Sequence, residues 1–329
     1  MDELKAKVLQ KVKGDVLAAD IVWSLFHSAL QSYRHDSVLR PFPADYSEGE
    51  GEKDFKALTA VSEEIPNLKM LIKTSSSTNN KTLSEQAWKL LSWAVEDKSF
   101  TIKSLDKNRF DRIQELTGQS SYKVKPTHVF EVQYQSAANN RFDQLSQDKD
   151  IMYAYHGSRL ENFHSILHNG LHSHMSKKPL FGEGTYLSSD LSVSMPYSPI
   201  GKAWDHSLMG GKLSCVAVCE LIDHPDVKCS TKAKGESTGS QAPDSLGGDV
   251  PEKYYVVTNN EVVRVKYLLI FADNLSRKRS TQQRSKVMTF ICSHLFALGI
   301  LGYLLVLLFI GLLKSRIFQS FYRKYMGYS

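Results

Sequence analysis

The chain is short of the features that mark several common protein classes. Four cysteines in 329 residues cannot build a disulfide framework. Two of them, Cys215 and Cys219, fall in an apolar run, where buried structural thiols are expected rather than metal ligands. His164, His168, His172 and His174 lack partner ligands at metal-binding spacing, so no metal site is expected. The opening Met1–Lys7 stretch has no apolar core, which argues against a secretory signal. No internal repeat is visible. Acidic residues are missing altogether from Arg277 onward, where nine Lys and Arg side chains stand without a single Asp or Glu. The formal charge of +6 therefore belongs to the tail. Residues 1–276 keep 32 basic and 35 acidic side chains, a net of about −3. That balance removes the main support for a nucleic-acid partner, and none is expected.

Within the basic tail, Val287 to Leu313 is 27 residues without a formal charge. At about 1.5 Å per residue, a helix of that length spans about 40 Å, more than a bilayer core requires. Arg277, Lys278, Arg279, Arg284 and Lys286 flank one end. Lys314, Arg316, Arg323 and Lys324 flank the other, with tyrosines at interfacial positions. The expectation is one transmembrane helix at 287–313, a basic linker at 277–286 and a short lumenal tail at 314–329. With so few residues after the span, the arrangement reads as a tail anchor with residues 1–276 in the cytosol.

Residues 1–98 read as a helical support domain. Leu4, Val8, Leu9 and Val12 recur at helical spacing, as do Ile21, Leu25, Phe26 and Leu30. Thr82 to Glu85 has the form of a capping box before Ala87, Leu90, Leu91 and Ala94. From Ser99 the period shortens. Strands are expected around Phe100–Leu105, Val129–Tyr134, Leu213–Leu221, Tyr254–Val257 and Val262–Phe271, with a long loop from Cys229 to Asp249. The predicted fold class is α+β: a helical domain packed on a mixed, mostly antiparallel split β-sheet domain at 99–276.

Three separated pieces carry polar and aromatic residues out of keeping with simple strands. The first is Ala154-Tyr-His-Gly-Ser-Arg159, followed by Asn162-Phe. The second is Phe181-Gly-Glu-Gly-Thr-Tyr-Leu-Ser-Ser189, followed by Ser194-Met-Pro-Tyr197. The third is Tyr254-Tyr-Val-Val, ending in Val265-Lys-Tyr-Leu-Leu269. In this order and spacing they resemble the catalytic domain of the poly(ADP-ribose) polymerase family, over roughly Ser99 to Leu275. The helices before it and the apolar segment after it are similar to a tail-anchored endoplasmic-reticulum member of that family.

The resemblance implies an enzyme that uses NAD⁺ as co-substrate, needs no metal, and transfers ADP-ribose to proteins with release of nicotinamide. It implies catalytic roles for His156, Tyr186 and Tyr254. It implies dinucleotide binding by His156, Gly157, Ser158, Tyr186, Ser194 and Tyr197. In the family, backbone groups of the Gly157 counterpart and the Ser194 counterpart hold the nicotinamide carboxamide. The two tyrosines sandwich its ring, and the histidine bonds the adenine-side ribose.

The sequence departs from the polymerases at one point. They carry a glutamate twelve positions before the Lys266 counterpart, and here that position is Tyr254. A phenol, with an ordinary pKa of about 10, cannot serve as a base at neutral pH. Chain elongation should fail while a single transfer survives, so the expected activity is mono-ADP-ribosylation. The same departure also suits a non-catalytic adaptor that binds NAD⁺ or ADP-ribose. The location implies protein acceptors on endoplasmic-reticulum or nuclear-envelope membranes: stress-sensing kinases, nuclear-transport factors and the enzyme itself. The lipid bilayer is the remaining expected partner.

Overall fold

A computed structural model of the chain describes residues 1–48, 51–75, 83–96, 99–119, 124–171, 184–231, 253–273 and Gly311. Met1–Asp273 forms one compact unit and Asn274–Ser329 a second. The apolar run at 287–313 lies, apart from Gly311, outside the described residues. No described helix is long and apolar enough to cross a membrane.

The N-terminal helices are α1 (Asp2–Gly14), α2 (Val16–Leu30), α3 (His35–Val38), α4 (Phe55–Glu63), α5 (Leu68–Thr74) and α6 (Glu85–Val95), with a small hairpin of β1 (Ser47–Glu48) and β2 (Glu52–Lys53) between α3 and α4. Helix α2 is the pillar of the unit. Twelve of its fifteen residues are buried, so it has no solvent face and must be enclosed on both sides. Its two apolar stripes serve different cores. Ile21 and Leu25 join the sheet's core, whereas Trp23, Phe26, Ala29 and Leu30 pack among the helices with Val12, Leu58, Leu91 and Trp204. Asp15 starts the helix. One carboxylate oxygen accepts the Ala18 N–H at 2.9 Å, and the other accepts the N–H and hydroxyl of Ser104 at 2.7 and 2.8 Å. A single cap thus ties α2 to the sheet.

Thr82, where the capping box is expected to begin, lies outside the described residues. Ser84 is the cap, its hydroxyl oxygen accepting the Ala87 N–H at 3.1 Å, and Glu85 instead pairs with Lys89 at 2.8 Å.

The remaining elements are β3 (Phe100–Leu105), α7 (Arg109–Thr117), β4 (His128–Tyr134), α8 (Ser136–Leu145), β5 (Ile151–Gly157), α9 (Phe163–Asn169), β6 (Thr185–Ser188), α10 (Leu191–Ser194), β7 (Gly201–Lys202), β8 (Lys212–Ile222), β9 (Val227–Thr231), β10 (Lys253–Val257) and β11 (Val263–Ala272). Among the described residues the sheet has nine strands in the order β3-β4-β11-β8-β5-β6-β10-β9, with β7 paired to β8. All the described pairings are antiparallel. This corrects the expected mixed sheet. The expected split has a physical counterpart, because among the described residues the β5–β6 ladder comprises a single register pair, Tyr155 opposite Ser188.

Strand β8 is buried along almost its whole length, as a central strand covered on both faces must be. Alternation along it sorts the two faces. Cys215, Ala217 and Cys219 enter the larger core, while Val216 and Val218 meet Tyr155, Phe110 and Leu269 on the other side. Burial pushes both thiols well above the ordinary cysteine range, which keeps them protonated and inert. Cys229, read as the start of a loop, lies in β9 opposite Tyr255.

Candidate active site

The three sequence pieces, separated by up to a hundred positions, meet where β5 and β6 part. His156 and Gly157 end β5, Tyr186 and Ser188 lie on β6, and Tyr254 stands on β10 directly opposite Ser188. Ser188 is therefore flanked by Tyr155 on one side and Tyr254 on the other. Cross-strand neighbours share a face, so Tyr254 is on the side of the sheet that carries Tyr155 and Tyr186.

His156 is held by a hydrogen bond between its Nδ1 and the Tyr186 carbonyl, 3.0 Å long. A carbonyl can only accept, so Nδ1 carries the proton. Burial pushes the imidazole below its ordinary pKa, and the Tyr186 bond opposes this only in part. The ring is neutral at pH 7 and its Nε2 offers a lone pair. This imidazole is arranged to accept a hydroxyl hydrogen.

Gly157 is required by close approach. A Cβ there would sit 2.0 Å from the Ser194 carbonyl oxygen and 3.0 Å from the Tyr197 Cβ. Any side chain at this position would collide with the chain's own backbone. Gly184 is fixed likewise, since a Cβ would meet a Val256 methyl at 2.6 Å. That contact seats the start of β6 against the strand carrying Tyr254.

Ser194 is buried, and its hydroxyl donates to the Tyr155 carbonyl at 3.2 Å. Its proton is thus committed, and lone pairs are what it presents. Asp190 caps α10 by accepting the Ser192 N–H at 2.7 Å and receives the Gln119 amide at 2.8 Å, which fixes the turn that delivers Ser194. Tyr197 follows in a 3₁₀ turn and stays about one-third exposed, 36%. Ser158 gives its N–H to Ser198 Oγ at 3.1 Å and receives the Asn162 amide on its hydroxyl at 2.8 Å.

His156, Gly157, Ser158, Tyr186, Ser194, Tyr197 and Tyr254 therefore lie on neighbouring strands or on the turn that packs against the end of β5. The reading from sequence missed Tyr155, Ser188 and Ser198, which link these segments to one another. Their contacts are set by strand register and by a turn, neither of which leaves a local signature. Among the described residues no group of His, Cys, Asp and Glu could hold a metal. His164 and His168 pack against each other, and His164 also lies against Phe26 and Trp93. A cavity of about 420 Å³ lies elsewhere, lined among others by Lys7, Asp15, Val22, Val95, Phe100 and His168; none of the motif residues borders it.

Residues 107–272 match the model of the poly(ADP-ribose) polymerase catalytic domain. The chain belongs to the poly(ADP-ribose) polymerase family. Residues 10–95 match a second model, the ARTD15 N-terminal domain. The chain is 50% identical over 315 residues to the human protein mono-ADP-ribosyltransferase PARP16, covering 94% of each chain. It is 48% identical over 325 residues to the mouse protein of that name, covering 97% of this chain and 98% of the relative. Similarity to mouse protein mono-ADP-ribosyltransferase PARP8 is lower, 23% over 250 residues and 28% of that protein.

Proposed function

We propose that this chain is a mono-ADP-ribosyltransferase that cleaves NAD⁺ and passes one ADP-ribose to a protein side chain, itself included. The observation that carries the reading is the meeting of His156, Gly157, Tyr186 and Ser194 where β5 and β6 part, with a phenol on the adjacent strand.

The nicotinamide carboxamide bonds to the backbone of Gly157 and to Ser194, whose lone pairs suit a carboxamide N–H. Tyr186 and Tyr197 hold the ring between them, at on the order of 1 kcal/mol per stacked ring beyond burial. Neutral His156 accepts a ribose hydroxyl at Nε2, and Ser158 assists on the same side. The bond between the nicotinamide nitrogen and the ribose C1′ breaks, with the electron pair leaving on nicotinamide. The resulting centre resembles the oxocarbenium of glycoside cleavage, and an oxygen of the acceptor forms the new bond to C1′. Tyr254 positions by hydrogen bonding and supplies no base. Carboxylate acceptors, which arrive ionised, are favoured for that reason.

The apolar run at 287–313 supports anchoring at the endoplasmic-reticulum membrane, with residues 1–98 supporting a cytosolic catalytic region at 99–276. Membrane-associated acceptors such as stress-sensing kinases and nuclear-transport factors then meet the site at high effective concentration.

Incubation of the purified chain with labelled NAD⁺ tests the reading. One discrete, covalently retained increment is expected, and it disappears in His156→Ala. A high-molecular-weight smear would overturn the role given to Tyr254. Tyr254 also favours a second reading, an adaptor that binds NAD⁺ without transfer, and a chain that binds but retains no label would establish it.

A further inference from the structure

One polar thread runs from the N-terminal helices to the His156-Gly157-Ser158 segment. Arg34, between α2 and α3, donates from a terminal guanidinium nitrogen to Asn162 Oδ1 at 2.6 Å. The other end of that amide, Nδ2, donates to Ser158 Oγ at 2.8 Å. We infer that Arg34 is a positioning residue for dinucleotide binding, acting through Asn162 to fix which way the Ser158 hydroxyl points. The inference rests on the dinucleotide-binding role given to Ser158 above.

The placement of Asn162 is the first argument. It stands at the N-cap of α9, where an asparagine ordinarily accepts a hydrogen bond from its own helix. Here the side chain makes no capping bond. Both of its polar ends are turned to long-range partners instead.

Polarity is the second argument. An isolated amide can present either oxygen or nitrogen to Ser158. A guanidinium has donors only, so it must face Oδ1, and the nitrogen is forced toward the serine. Ser158 then accepts from Asn162 and keeps its hydrogen to donate to the ligand. With the amide reversed, that hydrogen would be drawn to Asn162 and lost to the cleft.

Arg34 itself is the third argument. Its backbone is pinned from both sides, its N–H given to Ser32 Oγ at 3.1 Å and its carbonyl receiving the Ser37 hydroxyl at 2.9 Å. Its Nε is buried without a hydrogen-bond partner among the described residues.

The test is a double-mutant cycle on the full chain in detergent, reading NAD⁺ affinity by calorimetry, KM and kcat by labelling, and inhibition by free nicotinamide. Arg34→Met should weaken NAD⁺ binding and raise KM about 3- to 10-fold, the scale of one hydrogen bond, with kcat and nicotinamide inhibition little changed. Arg34→Lys, which keeps a donor, should recover part of the loss. Asn162→Asp keeps the acceptor for Arg34, and with it thermal stability, but cannot donate to Ser158; it should show the same rise. The double variant should be no worse than Asn162→Asp, because the two act in series. NAD⁺ affinity within twofold of wild type in Asn162→Asp, or additive losses in the double variant, overturns the inference. Should Arg34→Met fail to fold, Asn162→Asp still decides. A wild-type chain that binds NAD⁺ but transfers nothing would instead sink the transferase reading, and the calorimetric comparison would remain valid.

Discussion

His156 shows how one backbone contact assigns a chemical role. Because its Nδ1 proton is given to the Tyr186 carbonyl, the remaining nitrogen is an acceptor as long as the ring stays neutral. Burial lowers its pKa from the ordinary histidine value. Protonation, which would remove the acceptor, is therefore postponed to more acid solution than for a free imidazole. The expected outcome is a kcat/KM for NAD⁺ that is level from pH 8 to about 6.5, the ordinary histidine pKa, and declines only below it. A decline centred at or above that value would contradict a neutral, accepting His156. Tyr155 plays a quieter part at the same scale. Its carbonyl takes the Ser194 proton and its phenol, pushed up to about 12 mainly by burial, bonds Thr117 Oγ1 at 2.9 Å.

At the scale of one element, α2 carries two buried ionisable groups whose effects on stability oppose each other. Asp20 receives the Ser207 hydroxyl at 2.5 Å and the Leu208 N–H at 2.9 Å, yet burial outweighs these bonds and raises its carboxyl to about 6. Between about pH 4 and 6 the folded chain binds a proton that the unfolded chain lacks, so this group makes stability fall as pH rises. His27 is pushed down to about 4, chiefly by burial and then by Lys202. Between about pH 4 and 6.5 the unfolded chain binds a proton the folded chain refuses, so stability rises with pH. Each contribution is worth up to about 3 kcal/mol, and over the shared window they nearly cancel. Denaturant titrations from pH 4 to 6.5 should find little slope in the wild type from this pair. His27→Gln should become less stable as pH rises, and Asp20→Asn more stable, the latter with an added constant cost because its single carbonyl cannot serve both Ser207 and Leu208. Identical slopes in all three proteins would refute the pairing.

On the scale of the whole molecule, the helices and the sheet hold together through elements far apart in sequence. Trp204, between β7 and β8, meets Trp23 of α2 edge-on with ring centroids 6.1 Å apart, and Met1–Asp273 holds together as one unit. Every candidate site residue lies inside it. A chain ending at Asp273 is therefore expected to unfold at the same midpoint as the full chain and to keep self-labelling, while no longer sedimenting with membranes. A truncated chain that loses its label would show that the tail contributes to the site.

The sequence alone determined the elements with strong periodicity. Val8 and Val12 announced α1, the run from Leu213 to Leu221 announced β8, and Phe100, Ile102 and Leu105 announced β3, because burial on one or both faces demands apolar residues at those spacings. It also marked out the candidate site, since close backbone approach leaves glycines and aromatics in a fixed linear order around His156, Tyr186 and Tyr254. Tertiary structure alone decided what depends on juxtaposition: that the described pairings in the sheet are all antiparallel, that the β5–β6 ladder comprises a single register pair, that Ser84 caps α6, and that Arg34 reaches Asn162 across 128 positions. The physical reason is locality. Periodicity and glycine requirements are written by a residue's own backbone and immediate neighbours, whereas register, amide orientation and the protonation of a buried ring are set by whichever distant groups folding brings alongside.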